Sequence, residues 1–222
     1  MRGFDHINTW VFDLDNTLYP ASCKLFDQMH VRMLDFIRLR LNVDHHEAAR
    51  LRREYYLKHG TTLRGLMLEH NMEPTDFLEY VHDIDYNAVQ YDAILRNALT
   101  KLPGRKLVFT NGTTGHAGRV LQRLGVEQHF EAVFDIVDSD YIPKPARPPY
   151  DKFAGLYAVD GSCTAFFEDL PENLETPHAM GMTTILVSSG GNKTNNAYVN
   201  HITNDLPQFL NRIAQTLHGE PQ

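Results

Sequence analysis

Cysteine is scarce in this chain: Cys23 and Cys163 are the only two among 222 residues, so no disulfide framework supports the fold. Each reads as a free interior thiol, which suits a reducing compartment. No apolar run approaches the roughly 20 residues of a membrane-spanning helix. Low-complexity tracts and internal repeats are missing as well. Positive charge is in deficit, with 21 lysines and arginines against 28 aspartates and glutamates and a formal charge of −7. That balance argues against a nucleic-acid polymer or a membrane surface as partner. It leaves room for a phosphorylated small molecule, because a pocket can be positive on an acidic protein. The first strand pattern begins within about ten residues of Met1, too early for a signal peptide. We therefore expect a soluble cytoplasmic protein; the composition says nothing of its oligomeric state.

What is present points to an α/β fold. The length accommodates one α/β core plus an insertion. Leu25, Met29, Met33, Phe36, Ile37 and Leu41 recur at three- and four-residue steps, which predicts an amphipathic helix. Ala48, Leu51, Tyr55 and Tyr56 predict a second, 63–69 a third, and 74–81 a fourth with Pro74 near its start. Arg38, Arg40, Glu47, Arg50, Arg52, Arg53 and Glu54 read as the solvated faces of these helices. The helical texture runs from Ser22 to Ala98 and breaks at Pro103-Gly104. Beyond it, strands expected at 106–110, 132–137, 165–167, 183–187 and 201–202 alternate with helices at 117–124, 150–158, 174–180 and 206–217. Such alternation builds a Rossmann-like, mostly parallel sheet. The apolar run 9–12 is one more buried strand, and its sheet partners lie beyond residue 105. The helical block is thus expected to be an all-helical cap, 19–98, inserted into a core of 1–18 and 99–222. Ser188-Ser189-Gly190-Gly191-Asn192 reads as a surface loop.

The chemistry sits at the strand ends, where open parallel sheets bind ligands. The first strand stops at Asp13-Leu14-Asp15-Asn16-Thr17. Two acids this close raise each other's pKa unless a cation lies between them. Asp13 can act as a nucleophile, and Asp15 can protonate a leaving oxygen and later deprotonate water. At the next strand end, Thr110-Asn111-Gly112 precedes a helix N-terminus and offers donors to an anion. Lys144 stands between Pro143 and Pro145, a cation on a stiffened backbone. A later strand ends in Glu168-Asp169. Asp169, Asp13 and the Asp15 backbone carbonyl could hold Mg²⁺, with Glu168 a direct or water-mediated addition. Singly, each has an ordinary explanation: a capped turn, a strand–helix connection, a loop lysine, an acidic N-cap. In this order, they are the parts needed for Mg²⁺-assisted phosphoryl transfer.

These motifs resemble those of haloacid dehalogenase-superfamily phosphatases, with the helical insertion placed where that family carries a cap. The resemblance implies Asp13 as nucleophile and Asp15 as general acid/base. It implies Thr110, Asn111 and Lys144 as the phosphate site, and Asp13, Asp15 and Asp169 as the Mg²⁺ site. Dehalogenases of the superfamily lack the second acid, so Asp15 favours phosphate-ester hydrolysis. The cap stretch 56–66, Tyr-Leu-Lys-His-Gly-Thr-Thr-Leu-Arg-Gly-Leu, is similar to that of pyrimidine 5′-nucleotidases. This implies a nucleoside monophosphate such as UMP or CMP, with Thr61 and Thr62 facing the leaving group, unless the pair merely turns and caps a helix. Alternatives are a phosphatase or mutase for a sugar phosphate or phosphoglycolate, and a non-catalytic nucleotide- or protein-binding member. Adjacent His45 and His46 read as a solvated helix end. Tyr86, Tyr91 and Tyr157 read as packing, although a cap tyrosine could stack on a base. His116 reads as either pocket rim or helix start.

Overall fold

The computed structural model describes residues 3–188, 190 and 196–219. Ser189, Gly191 and Asn192 of the expected surface loop lie outside the described residues. The sheet has strands β1 (Thr9–Phe12), β2 (Arg105–Phe109), β3 (Ala132–Phe134), β4 (Thr164–Glu168), β5 (Thr183–Val187) and β6 (His201–Thr203). They are ordered β3-β2-β1-β4-β5-β6, and every pairing is parallel. β1 and β4 are buried along their whole length, as continuous apolar strands covered on both faces should be. Alternation divides them between two cores: Trp10, Phe12, Val108 and Phe167 belong to one, Val11, Leu107, Phe109 and Phe166 to the other. Phe12 pairs with Val108 on one side and Phe167 on the other, so three strands deliver the residues that follow them to one level.

The helices are α1 (Leu25–Leu41), α2 (His45–His59), α3 (Thr62–His70), α4 (Pro74–Val81), α5 (Ala93–Lys101), α6 (Thr114–Leu124), α7 (Arg147–Tyr157), α8 (Glu175–Ala179) and α9 (Leu206–His218). α1 to α4 enclose their own core of Met29, Phe36, Ile37, Tyr55, Leu63, Leu66 and Phe77, joined by Ile136 from the loop after β3. Their ends follow capping rules. Asn42 closes α1 in the left-handed conformation, and the Asp44 carboxylate accepts from Glu47 N at 2.8 Å to start α2. α2 and α3 approach so closely that a Cβ on Gly65 would overlap Tyr55 Cβ.

Residue 98, the expected end of the cap, falls inside α5. Leu95, Ala98 and Leu99 are buried with Leu206, Phe209 and Ile213 of α9 against the sheet, so this helix packs with the core. β3 is shorter than its apolar pattern because Asp135 turns the chain. Its Oδ1 accepts from Val137 N and Asp138 N at 2.8 and 2.9 Å, and its Oδ2 accepts from Thr114 N at 2.7 Å. α6 and α7 begin earlier than their apolar periodicity, α6 behind a Thr113 cap and α7 with prolines in its first turn.

Candidate active site

Lys144 ties the strand ends together. Its Nζ donates to Asp13 Oδ1 at 2.8 Å, Glu168 Oε2 at 2.7 Å and the Phe109 carbonyl at 2.9 Å. The acceptors come from the ends of β1, β4 and β2, and they use all three ammonium protons. Asn111 holds the lysine in place: its Oδ1 accepts from Lys144 N at 2.9 Å and its Nδ2 donates to Lys144 O at 3.4 Å. Thr110 is buried, and its Oγ1 accepts from Gly112 N at 2.9 Å. Asp13 is 6% exposed. Its backbone N–H extends the β1–β4 ladder to Phe167 O at 2.9 Å, and its Oδ2 accepts from Thr17 Oγ1 at 2.9 Å.

Carboxylate oxygens of Asp13, Glu168 and Asp169 lie within 4.8 Å of one another. Glu168 is 1% exposed. Its Oε1 accepts from Asp169 N at 3.2 Å and Leu170 N at 3.3 Å. Two of these acids thus share the one ammonium, and Asp169 lies beside them without a bond to it. Burial and then the Glu168 charge push Asp13 up to about 7, against the pull of Lys144. Burial, then Asp13 and Glu168, push Asp169 up to about 9. Burial disfavours the Lys144 charge, yet Asp13 and Glu168 outweigh it and hold its pKa above the ordinary lysine value. The cluster has more negative charge than its partners neutralise. An all-oxygen donor set with excess negative charge fits a hard divalent cation such as Mg²⁺.

Asp15 points away from that cluster. Its Oδ1 accepts from the Tyr19 hydroxyl at 2.6 Å and from His116 Nε2 at 2.8 Å. Burial opposes its charge, but His116 and Tyr19 outweigh burial and leave its pKa below the ordinary carboxylate value.

This arrangement coincides with family likeness along the chain. The haloacid dehalogenase-like hydrolase family matches residues 7–181. The chain belongs to that family. Among curated proteins, Phosphate metabolism protein 8 of Saccharomyces cerevisiae (strain ATCC 204508 / S288c) is 30% identical over 190 residues, which cover 77% of this chain and 58% of the relative. The chain thus spans little more than half the length of that protein. The fold is shared with the crystal structure of a HAD phosphatase from Thermococcus onnurineus, at TM-score 0.64 and 15% identity over 96% of this chain and 99% of the other. It is shared also with the 2-haloacid dehalogenase of Pseudomonas syringae pv. Tomato DC3000, at TM-score 0.60 and 16% identity over 95% and 99%.

The cap of this haloacid dehalogenase-like hydrolase reaches the core beside Lys144. Gly60 has φ +84°, and a Cβ there would meet Pro143 Cγ at 3.0 Å, so the turn before α3 lies against the lysine's neighbour. Thr61 caps α3, its Oγ1 accepting from Arg64 N at 3.2 Å, and Thr62 is buried. Tyr56 faces the core acids: burial first, then Glu172 and Asp169, raise its hydroxyl pKa. Tyr91 lies instead against Gly125, and Tyr157 packs on Phe153 and Phe134. His45 and His46 are exposed at the start of α2. Both cysteines are free and half-buried. No described helix is long and apolar enough to cross a membrane.

The hydrogen-bond partners Thr17 and Tyr19 were not singled out from the sequence. Each stands four residues after the acid it serves, a spacing that was the available signal. His116 is fully buried and bonded to Asp15, which places it inside the site rather than at a rim.

Proposed function

We propose that this chain is a Mg²⁺-dependent phosphate monoester hydrolase working through an aspartyl-phosphate on Asp13, with a pyrimidine nucleoside 5′-monophosphate as substrate. The observation that carries the reading is the Lys144 ammonium bonded to both Asp13 and Glu168, with Asp169 alongside and Asp15 two residues beyond the nucleophile. Asp13 attacks phosphorus in line, and the bond to the leaving oxygen breaks as Asp15 gives that oxygen its proton. Asp15 then takes a proton from the water that attacks the aspartyl-phosphate, which frees inorganic phosphate and restores the Asp13 carboxylate. Thr110 Oγ1 accepts from Gly112 N and keeps its own proton for a phosphoryl oxygen. Asn111 acts chiefly by fixing Lys144, with its second amide hydrogen left for the phosphate. Mg²⁺ held by Asp13, Asp169 and the Asp15 backbone carbonyl would stabilise charge on the transferring phosphoryl group. Glu168, committed to Lys144 and two backbone N–H groups, supports the cluster from behind.

For the substrate, the support is the turn of Gly60, Thr61 and Thr62 against Pro143 and the exposed Tyr56 ring near Asp169. We assign Thr61 as the hydroxyl nearest the leaving group, Thr62 as its buried support, and Tyr56 as a face for a base. Hydrolysis of p-nitrophenyl phosphate with Mg²⁺ and with EDTA tests the chemistry, and Asp13→Asn should abolish turnover without changing the far-UV spectrum. Full activity in EDTA, or in that variant, overturns the mechanism. A panel of UMP, CMP, AMP, GMP, sugar phosphates and phosphoglycolate tests the substrate. Preference for sugar phosphates over UMP and CMP overturns that assignment alone.

A further inference from the structure

The two oxygens of Asp15 are treated differently by the fold. Both ordered donors, the Tyr19 hydroxyl at 2.6 Å and His116 Nε2 at 2.8 Å, fall on Oδ1. No described protein group donates to Oδ2, which lies on the side of Gly112, 3.7 Å from where a Cβ on that glycine would be. A carboxylate can only accept, so the His116 nitrogen that meets Asp15 carries a proton, and the ring turns Nδ1 to the opposite side. Its partner is the Tyr86 hydroxyl at 3.0 Å. His116 is fully buried, and the ring of His82 stacks on it at 4.6 Å between centroids, 16° from parallel. Arg119 secures this group from α6, donating to the His82 carbonyl at 3.1 Å. Three side chains that no catalytic role accounts for are therefore spent on holding one imidazole against one carboxylate oxygen. Simple packing of α6 on the sheet would be served as well by leucine.

We propose that His116 is a positioning residue for Asp15: it clamps Oδ1 so that Oδ2 carries the proton delivered to the leaving group. This inference rests on Asp15 being the general acid. His82 and Tyr86 belong to the segment that leaves the cap after α4, so the clamp is also tied to the cap–core connection. A hydrogen bond that only stabilised the fold would be indifferent to the leaving group. One that aims an acid matters most when the leaving oxygen needs a proton, and least when it departs as a stable anion.

The test compares propyl phosphate with 2,4-dinitrophenyl phosphate in the full-length Mg²⁺-loaded enzyme. The pre-steady-state burst of dinitrophenolate and the single-turnover rate on propyl phosphate report the phosphorylation step alone. His116→Leu should slow propyl phosphate by about 100-fold while the dinitrophenolate burst changes by less than about 5-fold. His116→Gln, which keeps an N–H donor near the Nε2 position, should recover at least about 10-fold of the propyl phosphate rate. Tyr86→Phe should show the same selectivity at about 3- to 10-fold, and it carries the test if the leucine variant does not fold. Equal losses on both esters, or no loss on either, overturn the inference. Asp15→Asn separates this failure from that of the parent reading. A selective loss in Asp15→Asn with none in the His116 variants sinks the clamp alone. The absence of selectivity in Asp15→Asn means the acid is elsewhere, and the clamp falls with it.

Discussion

Replacing Asp169 with asparagine is expected to stabilise the metal-free protein and to remove most of its stabilisation by magnesium. Carboxylate oxygens of Asp13, Glu168 and Asp169 approach within 4.8 Å. At such a separation an effective dielectric of about 20 gives about 3.5 kcal/mol for each like-charge pair. Asp169 takes part in two pairs, and Lys144 offsets part of the repulsion. The protein responds by taking up protons: burial and the neighbouring acids push Asp169 up to about 9, and burial and Glu168 push Asp13 up to about 7. Folded carboxyls then hold protons that the unfolded chain has released. Their contribution to stability is fully present below the unfolded value of 3.8 and is lost as pH rises through 7 and 9.

An amide of the same shape neither ionises nor repels. In EDTA at pH 8, Asp169→Asn should therefore gain about 1 to 3 kcal/mol, or about 3 to 10 °C in Tm. Magnesium at a hundredfold its Kd should stabilise the unsubstituted protein by about 2.7 kcal/mol, and the variant by less than about 1 kcal/mol. Thermal melts by circular dichroism in EDTA and in MgCl₂, from pH 5 to pH 9, would measure both effects. A variant that melts below the parent in EDTA, or gains as much from magnesium, would refute the reading of these acids as one cation site.

Lys144→Met leaves Asp13 and Glu168 buried without their shared cation, and should cost about 3 to 5 kcal/mol of unfolding free energy in urea titrations; a loss below about 1 kcal/mol would mean that the acids find other partners. Gly65→Ala drives a methyl group into Tyr55 and should destabilise the cap by about 1 to 3 kcal/mol, visible as a lower Tm, whereas an unchanged Tm would show that α2 and α3 can part freely. Burial first, and the neighbouring His116 next, push His82 down to about 4, against the opposing pull of Asp15. Its neutral form therefore stabilises the fold fully above about pH 6.5, and about 3 kcal/mol is lost as pH falls through 4. His82→Leu should flatten that part of the stability–pH curve relative to the parent, and an identical acid slope in the two proteins would remove His82 as its source.

Periodicity was enough to read the cap helices, since Met29, Phe36, Ile37 and Leu63 bury one face each, and enough to read β1, β4 and β5 as apolar runs. It failed where a side chain, rather than a pattern, decides. Asp135 ends β3 by bonding backbone N–H groups on both sides of a turn, and the apolar residues at 136 and 137 gave no warning of it. At α5 the difficulty is different: helical texture is continuous through residue 98, and only the fold shows this helix packing on α9.

The site divides along the same line. Asp13, Lys144, Glu168 and Asp169 could be grouped from the sequence because a parallel register brings strand ends to one level, so separate local motifs meet in one place. The clamp on Asp15 has no such rule. His116 lies 101 positions from the acid it holds, and its role depends on the first turn of α6 facing the β1 loop across the Gly112 turn. A residue type and an adjacent glycine cannot encode that orientation. The side chains that hold the candidate catalytic groups in place are thus harder to read from sequence than the groups themselves, because their partners are chosen by the fold and not by the motif.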